Sequence, residues 1–327
     1  MIISKTPYRI SFFGGGTDYP NWYNKNGGQV VSTTIDKYIY ITLRYLPKFF
    51  EHKYRVVWSH IEKTKKINQI KHPSTKEILK YFKVKEGVEI HYDGDLPSRS
   101  GIGSSSCFSV GLINAIMELN KLPRTKKIVS NIAIDIEQNK LKEAVGSQDQ
   151  IASSYGGLNH IKFLKKNIYE IKKIDISKRK KKKFEQNLLL LFTGIQRTAQ
   201  EVASSYVNNF KKLEKNLQAT YGYVDTFNQI LKNGSIDDIG YLLDESWETK
   251  KRLSKIVSNE KIDYYISKAK KNGALGCKIL GAGSGGFMLV YAEKNLHQKI
   301  INNLKLINIP FNFEDNGSKI IFNSNKK

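Results

Sequence analysis

Asp95-Leu-Pro-Ser-Arg-Ser-Gly-Ile-Gly-Ser-Ser-Ser-Cys107 lies between a strand-like segment, Val88-Glu-Ile-His-Tyr92, and an apolar, helix-like one from Phe108 to Leu119. A glycine–serine loop that opens a helix presents unpaired backbone N–H groups at the positive end of the helix dipole. Such a terminus binds phosphate oxygens. Gly101 and Gly103 let the backbone approach closely, and the hydroxyls of Ser104, Ser105 and Ser106 can donate to phosphate or ligate a hard cation. No Lys-Ser/Thr pair follows the glycines, so this is not a Walker A loop. Alone, it is equally compatible with a solvated, serine-capped turn.

The chain of 327 residues has room for two domains of about 150 residues each. Hydrophobic residues make up 40% and aromatic ones 11%, the balance of a folded globular protein. No apolar run approaches the ~20 residues of a membrane helix, and Leu188–Phe192 is far too short. Met1-Ile-Ile-Ser-Lys-Thr lacks signal-peptide architecture. Cys107 and Cys277 are too few and too separated for a disulfide framework or metal site. A reducing, cytosolic location is the expectation, with no membrane partner. The net charge of +24, from 54 Lys+Arg against 30 Asp+Glu, favours anionic partners. The lysines are spread along the chain, however, and no basic patch is interleaved with aromatics, so nucleic acid is not an expected partner. The one dense run, Lys178 to Lys183, reads as a solvated linker.

Alternation predicts strands over Gln29–Ile35, Tyr38–Arg44, Tyr54–Ser59 and Val88–Tyr92. Ser74–Phe82 reads as a short helix with Ser74 as cap and Glu77 three residues on. Helices follow over Ser104–Leu119 and Thr125–Glu137, then a hairpin over Leu158–Leu164 and Ile168–Ile174. Asn187–Thr193 reads as a buried strand, Thr198–Lys271 as mostly helix, and Leu296–Leu304 as a helix among the late strands. Those strands are Gly276–Leu280, Phe287–Tyr291, Pro310–Glu314 and Lys319–Phe322. The class is α+β in two domains, residues 1–180 and 186–327, meeting near residues 175–186.

Two further glycine clusters bear on the loop. In Pro7-Tyr-Arg-Ile-Ser-Phe-Phe-Gly-Gly-Gly-Thr-Asp18 a strand ends in three glycines and an acid that can accept bonds from sugar hydroxyls. Lys278-Ile-Leu-Gly-Ala-Gly-Ser-Gly-Gly-Phe287 is a glycine loop between two apolar strands. Gly281–Gly286 superficially matches a dinucleotide fingerprint, but a strand follows it where that fingerprint needs a helix.

Residues 7–18, 95–107 and 278–287, in this order and spacing, resemble the three signature motifs of the GHMP kinase superfamily, and the likeness covers nearly the whole chain. Gly14-Gly-Gly-Thr-Asp18 departs from the Gly-Glu-His-Thr/Ser-Asp form of galactokinases. Gly146–Asn159 and Thr193-Gly-Ile-Gln-Arg197 resemble the sugar-kinase branch that holds D-glycero-D-manno-heptose 7-phosphate kinase, with fucokinase domains close by. The resemblance implies a ribosomal-protein-like N-terminal α/β domain and a C-terminal α+β domain with a ferredoxin-like core. It also implies ATP and Mg²⁺ as cofactors, since phosphoryl transfer depends on positioning and charge neutralisation.

Residue by residue, it assigns the ATP-phosphate cradle to Pro97, Ser98, Arg99, Ser100, Gly101, Ile102, Gly103, Ser104, Ser105 and Ser106. Ser105 matches the Mg²⁺-ligating serine, and Glu137 its partner ligand. Asp149 matches the catalytic aspartate, as base or as orienting group, and Arg9 the cation beside it. Gly15, Gly16, Thr17 and Asp18 would hold the sugar, together with Gly283. A substrate phosphate would meet Arg99 or Arg197, with Lys37 and Lys278 behind them. Cys107 stands where small residues are usual, and Ser284 replaces a glycine in a loop that calls for positive φ.

The expected activity is phosphorylation of the anomeric hydroxyl of D-glycero-D-manno-heptose 7-phosphate to the 1,7-bisphosphate, for nucleotide-activated heptose in capsule, lipopolysaccharide or S-layer glycan synthesis. The alternatives are a kinase of a free hexose such as L-fucose, or a non-catalytic phosphate- or nucleic-acid-binding protein. The expected assembly is a monomer or homodimer.

Overall fold

The long alternating segments at the start of the chain, rich in β-branched and aromatic residues, pair as the two strands on which the fold is built. β1 (Ile2–Phe13) and β2 (Gly28–Tyr45) run antiparallel, from Ile2 opposite Leu43 to Phe13 opposite Val31. The structure is a computed structural model and describes residues 1–195, 199–207 and 209–324. Onto this pair the first half adds β3 (Tyr54–Val57), β4 (Ile61–Thr64), β5 (Val88–Gly94), β6 (Asn159–Phe163) and β7 (Tyr169–Lys173). The helices of that half are α1 (Pro20–Asn26), α2 (Pro73–Tyr81), α3 (Ser104–Leu119), α4 (Lys126–Asp135) and α5 (Gln148–Tyr155). Then come α6 (Lys178–Gln186), β8 (Leu188–Phe192), α7 (Ala199–Val207), α8 (Glu214–Asn233), α9 (Asp238–Lys251) and α10 (Glu260–Lys271). The chain closes with β9 (Gly276–Ile279), β10 (Phe287–Tyr291), α11 (His297–Leu304), β11 (Ile307–Asn308), β12 (Phe313–Glu314) and β13 (Lys319–Asn323).

Among the described residues the larger sheet has nine strands along the path β13-β1-β2-β5-β3-β4, with β12 and β6 also on β2, and β7 on β6. The smaller has the order β11-β8-β10-β9, all antiparallel. The last two strands of the chain therefore return to the sheet that the first residues began. A single buried cluster joins the larger sheet and α3 to Phe184, Phe227, Phe287 and Tyr291.

The helix α3 is apolar on nearly every side and is buried from Ser106 to Met117, as expected of a central helix. It seats closely on β1 and β2 because Gly111 has no side chain: a Cβ there would lie 2.9 Å from Thr6 Oγ1 and 3.2 Å from Ile41 Cγ1. Ser4 Oγ donates to the Gly111 carbonyl at 2.8 Å. This seating fixes the N-terminus of α3, and with it the Gly-Ser loop.

Several boundaries differ from the sequence expectation, each for a local reason. The cap of α2 is His72, whose Nδ1 accepts the Thr75 N–H at 3.2 Å, with Pro73 in the first turn. Glu77 pairs with Lys80 rather than reaching back to Ser74. Thr125 caps α4 instead of opening it, accepting from Ile128 N at 3.2 Å. Beyond Asp135 the helix widens into a π-type turn, Ile136–Lys140, closed by Leu141 N donating to Ile136 O at 2.8 Å. Such turns recur at functional positions, and this one contains Glu137.

The basic run is not a linker. Residues 178–186 form α6, capped by Ser177 Oγ on Lys180 N, because Phe184 supplies a buried anchor. Its ring centroid lies 5.0 Å from that of Phe12, 6.0 Å from Phe227 and 5.7 Å from Phe313. Phe184→Ala is expected to cost about 3–5 kcal/mol in thermal or denaturant unfolding. The exposed Lys182→Ala is expected to stay within about 0.5 kcal/mol of the parent.

Candidate active site

Three glycine segments, far apart in sequence, meet at one place. Gly101, at φ +83°, has no room for a side chain: a Cβ would lie 2.5 Å from Leu280 O. A Cβ on Gly281 would lie 2.6 Å from Gly101 Cα, and one on Gly286 would lie 2.2 Å from Ser100 O. Phe287 N donates to Ser100 O at 3.0 Å. The loop before α3 and the loop before β10 are thus packed backbone on backbone. Ser284 adopts φ +67°, the left-handed conformation that the motif calls for, which costs a residue with a β-carbon roughly 1–2 kcal/mol. The Gly-Ser loop is itself sharply turned, with Arg99 at φ +57° and Gly103, the cap of α3, at φ +77°.

The third segment reaches the loop through Arg9 on β1. Its Nε and Nη2 donate to Asp149 Oδ1 and Oδ2, each at 2.7 Å. Nη1 donates to Gly101 O at 2.7 Å, and the Arg9 backbone N–H to Ile102 O at 3.3 Å. Asp149 sits in the first turn of α5. A Cβ on Gly103 would lie 3.3 Å from Arg9 Cγ and 3.4 Å from Asp149 Oδ2, so the loop closes directly over the pair.

At the end of β1 the chain turns through Gly14–Gly16 to Asp18. Asp18 is buried; its Oδ1 accepts from Gly16 N at 2.9 Å and its Oδ2 from Gln148 N at 3.3 Å. Burial pushes its carboxyl above the usual carboxylate range, with the Asp149 charge adding to the effect. Gly146 is required beside it, since a Cβ there would lie 1.9 Å from Asp18 Oδ2.

These groups face a common cleft of about 770 Å³, whose walls include Arg9, Gly15, Gly16, Asp18, Asp149, Ser98–Gly101 and Gly103–Ser106. Other residues expected at the site lie off its walls. Thr17 is fully buried, its hydroxyl donating to Gly14 O at 2.8 Å and Gln29 O at 2.9 Å, where it holds the turn. Gly283 packs on Val257, and Pro97 and Ile102 brace the loop from behind, Pro97 O accepting from Ser100 Oγ at 2.6 Å. Lys37 pairs with Asp36 away from the cleft. Arg197 lies outside the described residues.

Glu137 is fully buried behind the serines. Ser106, rather than the exposed Ser105, touches it: Ser106 Oγ donates to Glu137 Oε2 at 2.8 Å, as does Gln150 Nε2 at 2.5 Å. Glu137 Oε1 is buried with no donor in good hydrogen-bonding geometry; burial pushes the carboxyl up to about 7, against the Ser109 and Ser106 hydroxyls that favour its charged form. A desolvated carboxylate oxygen short of donors, next to serine hydroxyls, fits a hard divalent cation. Mg²⁺ needs only one or two protein oxygens when phosphate oxygens and water complete its shell. The absence of a cluster of three or more acidic, His or Cys residues among the described residues is therefore no obstacle.

Two features of the cleft draw on residues largely outside the motifs. One end is aromatic: Trp58, His60, His72, Tyr92 and Phe108 line it, with the His72 and Phe108 rings 4.5 Å apart. Burial lowers the His72 pKa, which favours the neutral ring. The other is a pair of lysines from the second half of the chain, Lys250 and Lys278. Alternation marks Trp58 and Tyr92 as strand residues but not as part of a site; only Lys278, at the head of the third segment, gave a signal of function.

A phosphate-ready helix terminus, a paired acid and a buried acid facing one cleft define a phosphoryl-transfer enzyme. The particular family is settled by its models: the GHMP kinases N-terminal domain matches residues 68–157 and the GHMP kinases C-terminal domain residues 227–306, and the chain belongs to this family. It is a sugar kinase that transfers phosphate to a hydroxyl, and its sugar and ATP substrates are small molecules. A D-glycero-alpha-D-manno-heptose 7-phosphate kinase of Campylobacter jejuni is 29% identical over 316 residues, covering 93% of both chains. A galactokinase of Thermotoga neapolitana is 28% identical over 335 residues, covering 92% of both. The crystal structure of a D-glycero-D-manno-heptose 1-phosphate kinase from Bacteriodes thetaiotaomicron shares the fold, with a TM-score of 0.79, 22% identity and 98% coverage of each chain. No helix among the described residues is long and apolar enough to cross a membrane.

The backbone contact between the two glycine loops can be tested against a glycine of similar conformation. Gly194, at φ +72°, has nothing within 4 Å of its hypothetical Cβ. Gly194→Ala is expected to cost roughly 1–2 kcal/mol from its left-handed backbone alone. Gly101→Ala is expected to cost about 1–3 kcal/mol more, through collision with Leu280, in the same thermal unfolding measurement.

Proposed function

We propose that this chain transfers the γ-phosphate of ATP to the anomeric hydroxyl of D-glycero-D-manno-heptose 7-phosphate, giving the 1,7-bisphosphate. The observation that carries the reading is the Arg9–Asp149 pair held against the Gly101 carbonyl, where acceptor and nucleotide groups would meet. The similarity to the Campylobacter jejuni heptose 7-phosphate kinase over 93% of the chain supports the choice of acceptor.

In this reading Asp149 accepts the proton of the acceptor hydroxyl as that oxygen bonds to the γ-phosphorus. The bond from the γ-phosphorus to the bridging oxygen breaks, and ADP leaves with that oxygen. Arg9 occupies one lone pair on each Asp149 oxygen; a carboxylate has about four such sites, so an acceptor hydroxyl still finds one. The pairing also sets the orientation of the carboxylate. The N–H groups and hydroxyls of residues 98–106 cradle the phosphates. Asp18, with Gly15 and Gly16, receives sugar hydroxyls, and Arg99, exposed on the loop, is a candidate for the acceptor's own phosphate. The aromatic end around Trp58 and Phe108 suits a flat nucleobase. Glu137, Ser105 and Ser106 are the residues that would hold Mg²⁺, which supplies charge neutralisation on the phosphates when bound.

Incubation with ATP, Mg²⁺ and a panel of sugars and sugar phosphates, followed by ³¹P NMR, is expected to show a new anomeric phosphate on the heptose 7-phosphate. Turnover of a free hexose with none of any heptose phosphate would sink the assignment. Asp149→Asn is expected to lower kcat by about 10²–10⁴-fold with ATP affinity nearly unchanged. Gly146→Ala, which displaces Asp18 without altering it, is expected to raise the acceptor KM by roughly tenfold or more, the scale of one lost charge-assisted hydrogen bond. ATP affinity measured on the same variant should not move.

A further inference from the structure

Lys250 lies in the last turn of α9 and Lys278 in β9, and both line the cleft. Their ammonium groups are held by backbone carbonyls: Lys278 Nζ donates to Phe12 O at 2.5 Å, and Lys250 Nζ to Ile279 O at 3.3 Å and to Gly281 O. Neither takes part in an ion pair among the described residues. The charges that act on them are of one sign: Lys278 feels Arg9, and Lys250 feels both Lys278 and Arg9. Burial, reinforced by this repulsion, brings Lys278 down to about 7 and Lys250 well below the ordinary lysine range. Arg9, the third cation, already has Asp149.

Two desolvated lysines without a counter-charge destabilise an empty protein, and buried charges are otherwise paired. Their missing partner is an anion. Its place follows from the backbone: the Gly281 carbonyl that holds Lys250 belongs to the residue packed on Gly101, and the Gly101 carbonyl holds Arg9. The lysines therefore lie on the same stretch of wall as Asp149, at the junction of the nucleotide loop and the acceptor acid.

We infer that Lys250 and Lys278 are catalytic residues that bind the phosphoryl group at the point of transfer, two cations donating to its oxygens as it passes from nucleotide to acceptor. The inference rests on reading the cleft as a phosphoryl-transfer site. The chemistry is that of phosphate oxygens, which an acceptor-borne phosphate would also supply; proximity to Arg9 and Asp149 favours the moving group. As the bond to ADP loosens, negative charge spreads over the phosphoryl and bridging oxygens, and fixed cations in a dry site stabilise it without reorganising.

The test compares wild type with Lys250→Met and Lys278→Met, with Lys→Gln at either site if a Met variant does not fold. Binding of ADP alone and of ADP with aluminium fluoride, a mimic of the phosphoryl group in transit, is measured by calorimetry. ADP affinity is expected to stay within about twofold, while affinity for the fluoride complex falls about 10- to 100-fold per lysine, the scale of a hydrogen bond to a charged group. kcat is expected to fall by a similar factor with phosphorylated and unphosphorylated acceptors alike. The Tm of the ligand-free variants is expected to equal or exceed that of wild type, which separates function from a structural role. Unchanged fluoride-complex binding and kcat would overturn the inference. So would a loss confined to the KM of a phosphorylated acceptor. The calorimetric arm requires no acceptor, so it stands even if no heptose phosphate is turned over.

Discussion

The guanidinium of Arg9 is the joint on which the site depends. It bonds both oxygens of Asp149 and the Gly101 carbonyl, while its backbone N–H bonds Ile102. One side chain thereby fixes three separate stretches of the chain: the end of β1, the loop before α3 and the first turn of α5. Arg9 is 4% exposed and Asp149 24%, so the pair sits at the boundary between core and cleft. In such a place, losing one partner strands the other, which typically costs about 3–5 kcal/mol. The planar, forked geometry of arginine lets it bind both Asp149 oxygens in parallel while a third N–H serves the Gly101 carbonyl.

Around that joint the glycines act by absence. Gly101, Gly281 and Gly286 let two loops touch backbone to backbone, and Gly146 leaves room for Asp18. Gly111 does the same for the body of α3, whose depth in the sheet sets where its N-terminus emerges. The result is a cleft with its hydrogen-bond donors fixed before any ligand arrives. Preorganised donors are the main contribution a protein can make to phosphoryl transfer. The charge balance of the cleft follows the same logic. Arg9, Lys250 and Lys278 all line the cleft, a local placement that suits oxygen anions far better than the diffuse +24 of the whole chain would by itself.

Much of the fold was legible in the sequence. The strands, the hairpin of β6 and β7, and α3 could be read from alternation and from the Gly-Ser loop, because local periodicity records which face is buried. The basic run at 178–186 was misread as a linker. Its charges carry the local signal, while the residue that makes it a helix in the core, Phe184, matters only through partners distant in sequence, such as Phe12, Phe227 and Phe313. The start of α2 was missed because a histidine cap is outside the usual set of capping residues. At the site, the three segments and Asp149 could be read from motif order. The aromatic end at Trp58 and the cation Lys250 could not, since no local pattern marks either as part of a site.

The sequence alone determined which chemistries were available: a phosphate-ready helix terminus, an acid after glycines, a second glycine loop before a strand, and by their order a family. Those are properties of short segments, where backbone freedom and residue type suffice. Tertiary structure decided which groups meet. It put Ser106 rather than Ser105 against Glu137, turned Thr17 inward to hold the turn while Asp18 faced the cleft, and brought Lys250 to the same cleft as Arg9. Contacts of that kind depend on packing between distant segments and on how deeply each group is desolvated. Neither quantity is recorded in any local stretch of the chain.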